Sequence, residues 1–101
     1  MRNRLDLQNK LEDILQMRHV YYQPPESLKI EYPAIVYSRT GISTNKADDK
    51  VYSKSNIYKI TLIDKNPESV YVDDILDLPF CSMKSTYQSE NLHHYQFEIY
   101  I

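Results

Sequence analysis

The stretch that decides the fold is Val51–Ile63, VYSKSNIYKITLI. Successive strand residues point to opposite faces, so Tyr52, Tyr58, Ile60 and Leu62 share one side while Val51, Ile57, Thr61 and Ile63 share the other. A strand that is apolar on both sides around its middle belongs at the centre of a sheet. Upstream, Pro33–Thr40 (PAIVYSRT) is β-branched and aromatic, with its proline at the first position, where a missing N–H does least harm. Between the two lies GISTNKADDK, residues 41–50, which is polar and charged and has no apolar period. The expectation is a β-hairpin with a long loop at its tip, and loops of that length more often serve function than shorter ones.

Working outward, Leu7, Leu11, Ile14 and Leu15 fall at the spacing of one helix face, which predicts a helix from about Asn3 to about Met17. Pro24, Pro25 and the pre-proline Tyr32 disfavour helix, so residues 19–32 read as an extended connector. In Asp64–Pro79 (DKNPESVYVDDILDLP), Asn66 suits an N-cap, Pro67 the first helical position and Pro79 a stop, with Val72, Ile75 and Leu76 as the apolar stripe. A second hairpin follows, Phe80–Tyr87 and Leu92–Ile101, joined through QSEN; in its last strand Tyr95, Phe97, Ile99 and Ile101 alternate with polar residues. The predicted fold is one α+β domain over residues 1–101, with a mainly antiparallel four-stranded sheet, two helices and the order α-β-β-α-β-β. Two short helices cover one sheet face, so part of the other face is expected to be covered by another subunit.

Composition narrows the function. A chain of 101 residues has room for one domain and no large enclosed cavity. Twelve Lys and Arg stand against fourteen Asp and Glu, which is not the basic surplus of a nucleic-acid-binding domain. One cysteine, Cys81, excludes an internal disulfide and a thiolate zinc cage. One glycine, Gly41, excludes the phosphate-cradling loops and nucleophile elbows that need several. The mixed charges of residues 1–18 suit neither a secretory leader nor a membrane span. Ten tyrosines and no tryptophan suit half-buried strands and surfaces that meet another protein.

Reactive groups are few. Asp73 and Asp77 share one side of the second helix, but carboxylates opposite an apolar stripe are ordinarily its wet face. Asp48 and Asp49 lack the glycine and distal glutamate of a calcium loop. His93 and His94 are adjacent on a strand, so their rings point to opposite faces and cannot close on one metal. Cys81 has no flanking nucleophile motif and reads as a small buried hydrophobe. The expectation is a non-enzymatic protein without cofactor or metal; a small enzyme using Cys81 or the Asp73/Asp77 pair is the alternative from another class.

Tyr22-Gln23-Pro24-Pro25-Glu26-Ser27, Tyr32-Pro33-Ala34-Ile35-Val36-Tyr37, Tyr58-Lys59-Ile60-Thr61, Asp64-Lys65-Asn66-Pro67 and Leu78-Pro79-Phe80-Cys81 together resemble the small tail terminator, or tail completion, proteins of long-tailed bacteriophages. The resemblance implies a virion protein, assembled in the bacterial cytoplasm, that forms a homo-oligomeric ring, typically of six copies. Such a ring caps the tail tube and joins it to the head connector, while DNA passes through its lumen without specific binding and no membrane is involved. A stopper, an adaptor-type connector or a minor tail protein is the near alternative. In such a ring the residues expected at interfaces are Ile42, Lys46, Asp48, Asp49, Lys50 and Tyr52 of the first hairpin, with Tyr21, Tyr22, Pro24 and Pro25 of the connector. Alternating charge at the hairpin tip would set register there.

Overall fold

The computed structural model describes residues 3–16, 19–47 and 50–101, and their side chains apart from those of residues 45–47 and 50–53. Helix α1, Arg4–Leu15, starts where the Asn3 side chain accepts the Asp6 N–H at 3.0 Å, and ends at Gln16 in the left-handed conformation (φ 56°). Leu7, Leu11 and Leu15 are its buried stripe.

Five strands follow around a second helix: β1 (Val20–Tyr22), β2 (Ala34–Ala47), β3 (Lys50–Asp64), α2 (Val72–Leu76), β4 (Cys81–Ser89) and β5 (Leu92–Tyr100). They form one sheet in the order β1-β2-β3-β5-β4. The four-stranded antiparallel expectation is therefore wrong in strand number and in strand sense, although the class is α+β. The additional strand is β1, which pairs parallel to β2 with Val20 opposite Ile35 and Tyr22 opposite Tyr37. Two hydrogen bonds frame it, Ile35 N–H to the His19 carbonyl at 2.9 Å and Gln23 N–H to the Tyr37 carbonyl at 3.0 Å. The prolines do exclude helix from the connector, but Val20-Tyr21-Tyr22 is too short to show a period, and its pairing is decided by β2.

The first hairpin also departs from expectation, because the long loop is itself strand: β2 and β3 remain paired out to Ala47 opposite Lys50. Beyond the core this ribbon has no third strand beside it and Ile42 and Thr44 are exposed, and its sequence shows no apolar alternation even though the backbone is extended. Near Asn66 the capping signals serve a turn instead, where the Asn66 side chain accepts the Glu68 N–H at 2.9 Å. Helix α2 starts only at Val72 and buries Ile75. The second hairpin turns on Glu90 and Asn91, with φ of 53° and 64°, the two-residue geometry that matches strand twist.

Both helices lie on one face of the sheet, where Leu7, Leu11, Leu15 and Ile75 pack with Ile35, Tyr37, Tyr58, Ile60, Leu62, Tyr95, Phe97 and Ile99. A polar relay ties α1 to this face. The Tyr37 hydroxyl donates to Gln8 Oε1 and accepts from Arg4 Nη1 at 3.2 Å, and Gln8 Nε2 donates to the Val20 carbonyl at 3.2 Å. Burial pushes the Tyr37 phenol up from its ordinary value, and the Arg4 contact partly opposes that.

Candidate interaction surface

Three features project from the covered core. The first is the outer part of the β2–β3 hairpin. β5 ends on β3 at Asn56, whose N–H donates to the Ile101 carbonyl at 2.7 Å, and β1 covers β2 only from Ile35 to Tyr37. From Ile42 and Asn56 outward the hairpin is thus a bare two-stranded arm of roughly 17–20 Å, at about 3.3 Å per residue. It stretches the molecule to 50 × 26 × 24 Å and raises the radius of gyration to 14.6 Å. A compact domain of this length has about 13 Å. Two-stranded ribbons are marginal alone in water, so this one gains most from an added strand or surface.

The second feature is β4. From Ser82 to Ser89 every residue is exposed, so neither sheet face is covered there, and in the sheet β5 is its sole strand neighbour. Lys84, at a bulge between Met83 and Ser85, points back to Glu98 at 3.9 Å and leaves Ser85–Ser89 without charge at the edge.

The third is Phe80, which is 82 % exposed and has φ of 57°, a conformation that a bulky side chain rarely adopts. Its carbonyl accepts the Tyr100 N–H at 3.2 Å, which fixes the backbone while the ring stands outward. An open groove of about 620 Å³ runs from Pro79 and Phe80 over Tyr100 and Ile101 to Ser43 and Ser55 at the root of the arm. A hydrogen bond to the Glu98 carboxylate raises the Tyr100 phenol from its ordinary value.

The residues singled out in the sequence distribute unevenly over this surface. Ile42 stands 52 % exposed on the arm. Tyr21 lies on the sheet face away from the helices, half-buried in a row with Val36, Thr61 and Gln96. Tyr22 is on the helix side, its ring 4.9 Å from that of Tyr37 and beneath the Arg4 guanidinium at 4.5 Å, so it stabilises the chain's own core. Pro24 is half-buried and Pro25 exposed in a turn closed by Leu28 N–H to the Pro25 carbonyl at 3.1 Å. Lys46 and Lys50 are strand residues near the arm's end and Tyr52 lies in β3; their side chains, and Asp48 and Asp49 altogether, lie outside the described residues. Ile42 and the connector tyrosines thus lie along one outer edge of the sheet. Phe80 and β4 are not among the interface residues the sequence singles out: β4 carries the alternation of an ordinary half-buried strand, with Cys81, Met83 and Tyr87 set between Ser82, Lys84, Thr86 and Gln88, and nothing in it announces an exposed edge.

The groups considered for chemistry are dispersed. Burial pushes the Cys81 thiol up to about 11, which keeps it protonated at neutral pH. It pairs with Ile99, whereas His93 and His94 pair with Gln88 and Tyr87 toward the other end of β5, where His94 stacks on Tyr87 at 4.5 Å. Asp73 and Asp77 are exposed on α2, and among the described residues no three His, Cys, Asp or Glu side chains come together to hold a metal. No helix among the described residues is long and apolar enough to cross a membrane. No protein-family model matches the chain, and no curated protein matches its sequence.

Proposed function

We propose that the chain is a subunit of the ring that terminates the tail tube of a long-tailed bacteriophage and joins it to the head connector. The reading starts from the sequence strings that resemble this group, and the observation that carries it in the structure is the bare arm beyond Ile42 and Asn56. A small domain that extends a ribbon with both edges unpaired has a means of gripping a neighbour and little means of enclosing a substrate. Repetition of one such heterologous contact closes a ring when its rotation completes a turn. The formal charge of −2 suits a lumen through which DNA slides without being held, because few phosphates are neutralised.

The test is complementation. Purified protein added to heads and tails made without it should restore joined particles, and it should be found stoichiometrically within them. Binding assays against the tail tube protein and against the portal-side adaptor separate a terminator, which binds the tube end, from a stopper or adaptor. Absence from purified particles together with failure to restore joining would refute the proposal.

A further inference from the structure

We propose that the outer edge of β4 in one subunit pairs antiparallel with the outer edge of β2, between Ser38 and Ala47, in the next. The sense of propagation rests on the ring reading above; the two edges stand on the structure alone. The sheet ends in β1 and β4, and because β1 reaches only Tyr37, the free edges are β4 on one side and the distal part of β2 on the other. Their lengths match, nine residues of β4 against ten of β2.

Strand sense agrees. β2 opposes β3, β3 opposes β5, and β5 opposes β4, so β2 and β4 run in opposite directions. Through the paired registers Cys81–Tyr87 stand level with Ala34–Arg39 of β2, so β4 meets the arm of the next copy as an antiparallel pair, without either being turned over, when that copy is rotated and also slid by about six residues, roughly 20 Å, along the strands, as in a ring whose strands are inclined to its axis. Pairing of β4 with β4 would instead be isologous and stop at a dimer. Charge agrees at one end: antiparallel pairing lays Glu90, in the turn after β4, toward Arg39 at the start of the free edge of β2, while Lys84 is already paired with Glu98.

The backbone groups available for this pairing can be named. A two-residue turn makes Ser89 and Leu92 a hydrogen-bonded pair, and bonded pairs alternate along an antiparallel ladder. Thr86 and Gln88 therefore direct their N–H and C=O away from β5. On the arm, Asn56 exchanges both its bonds with Ile101, so opposite it Ile42, and by alternation Thr44, direct theirs away from β3. Proline at Thr86 or Thr44 removes an outward N–H and blocks the edge while leaving the chain's own ladder intact.

The experiment measures the mass of assembled species by native mass spectrometry and sedimentation, at a concentration where the wild type assembles. Thr86→Pro and Thr44→Pro should each keep the wild-type far-UV spectrum and a cooperative melt, and each should lose the ring. Mixed together they should give a one-to-one dimer and nothing larger, since each retains the edge the other lacks. Gln88→Pro, nearer the strand end, replaces Thr86→Pro if that variant does not fold. A folded proline variant that still forms rings, a Thr44→Pro protein that dimerises alone, or a mixture without the one-to-one product would overturn the contact. A wild type that stays monomeric at every concentration would overturn it too. None of these touches the functional reading, which falls only if the protein is missing from particles and does not restore joining.

Discussion

Phe80 sets stability against assembly. Its φ of 57° costs an L-residue with a large side chain about 1–2 kcal/mol, and Phe80→Gly relieves that strain. The glycine gives back about 0.5–1 kcal/mol in unfolded-chain freedom. With the ring 82 % exposed, less than a fifth of its burial energy is forfeited, about 0.3–0.5 kcal/mol. The net change for the isolated chain runs from a loss of about 0.5 to a gain of about 1 kcal/mol, the upper end being a Tm rise of up to about 8 °C. An exposed aromatic that becomes an anchor between subunits is worth about 2 kcal/mol or more, so the concentration at half-assembly should rise by at least tenfold. Phe80→Asn, which tolerates the left-handed region without the glycine's freedom, should show the same split. Denaturant unfolding of the monomer and a sedimentation dilution series read the two quantities separately. A loss of more than about 1 kcal/mol in the monomer would show that the strain argument is wrong, and unchanged assembly would show that the ring faces only solvent.

Three further outcomes follow from the core and the turns. Tyr37→Phe strips Gln8 and Arg4 of a buried partner and should cost about 1–3 kcal/mol by urea unfolding, with Tyr22→Phe close to neutral as the comparison. Because Cys81 is raised from 9.0 to about 11 in the folded chain, its contribution is fully present below pH 9 and is lost as pH climbs through 11. Cys81→Ala should flatten the part of the decline in Tm over that window that the thiol causes, and alkylation of the wild type at pH 8 should be far slower than that of a free thiol. Replacing Glu90-Asn91 by Asn-Gly, the preferred pair for φ of 53° and 64°, should raise stability by about 1 kcal/mol without altering assembly, measured by thermal melts and native mass.

The parts legible in the sequence are those where burial imposes a period. Helix α1 and the centre of β3 announce themselves because Leu7, Leu11 and Leu15, and Tyr58, Ile60 and Leu62, are all held against one another. The same rule explains the misses. From Ile42 to Ala47 the chain is extended with no third strand beside it and its sequence carries no alternation, so the arm reads as a loop; residues 82–89 keep an alternating pattern although all of them are exposed, so the strand is legible and its exposure is not. β1 is three residues recruited by β2, a decision made by tertiary pairing. Asn66-Pro67 carries a helix start that the chain spends on a turn, since the Tyr95 hydroxyl donates to the Pro67 carbonyl at 2.6 Å and holds that segment to β5 before α2 begins. Of the candidate interface, Ile42 was visible as an apolar residue in a polar run. Phe80 was not, because a left-handed φ at phenylalanine leaves no mark in sequence.

This division of the sheet has a consequence for how variants should sort. Fully buried side chains cluster where α1 and α2 cover β2, β3 and β5, between Ile35 and Tyr37 on one strand and Tyr95 and Ile99 on another. The arm is the outward continuation of β2 and β3 beyond that zone, and β4 is joined to it by its single pairing with β5. Thr86 and Thr44 direct their N–H groups away from the chain's own ladder and the Phe80 ring is exposed, so changes there remove no contact that the core uses. Edge and anchor variants should therefore change assembly at nearly constant monomer stability, and core variants such as Tyr37→Phe should change stability while the surviving folded fraction assembles normally. If instead the Thr86→Pro and Phe80→Gly chains lost monomer stability in proportion to assembly, β4 would belong to the cooperative core. The exposed hairpin would then be a structural strut, and the neighbouring subunit would have to be sought along the sheet face that carries Tyr21.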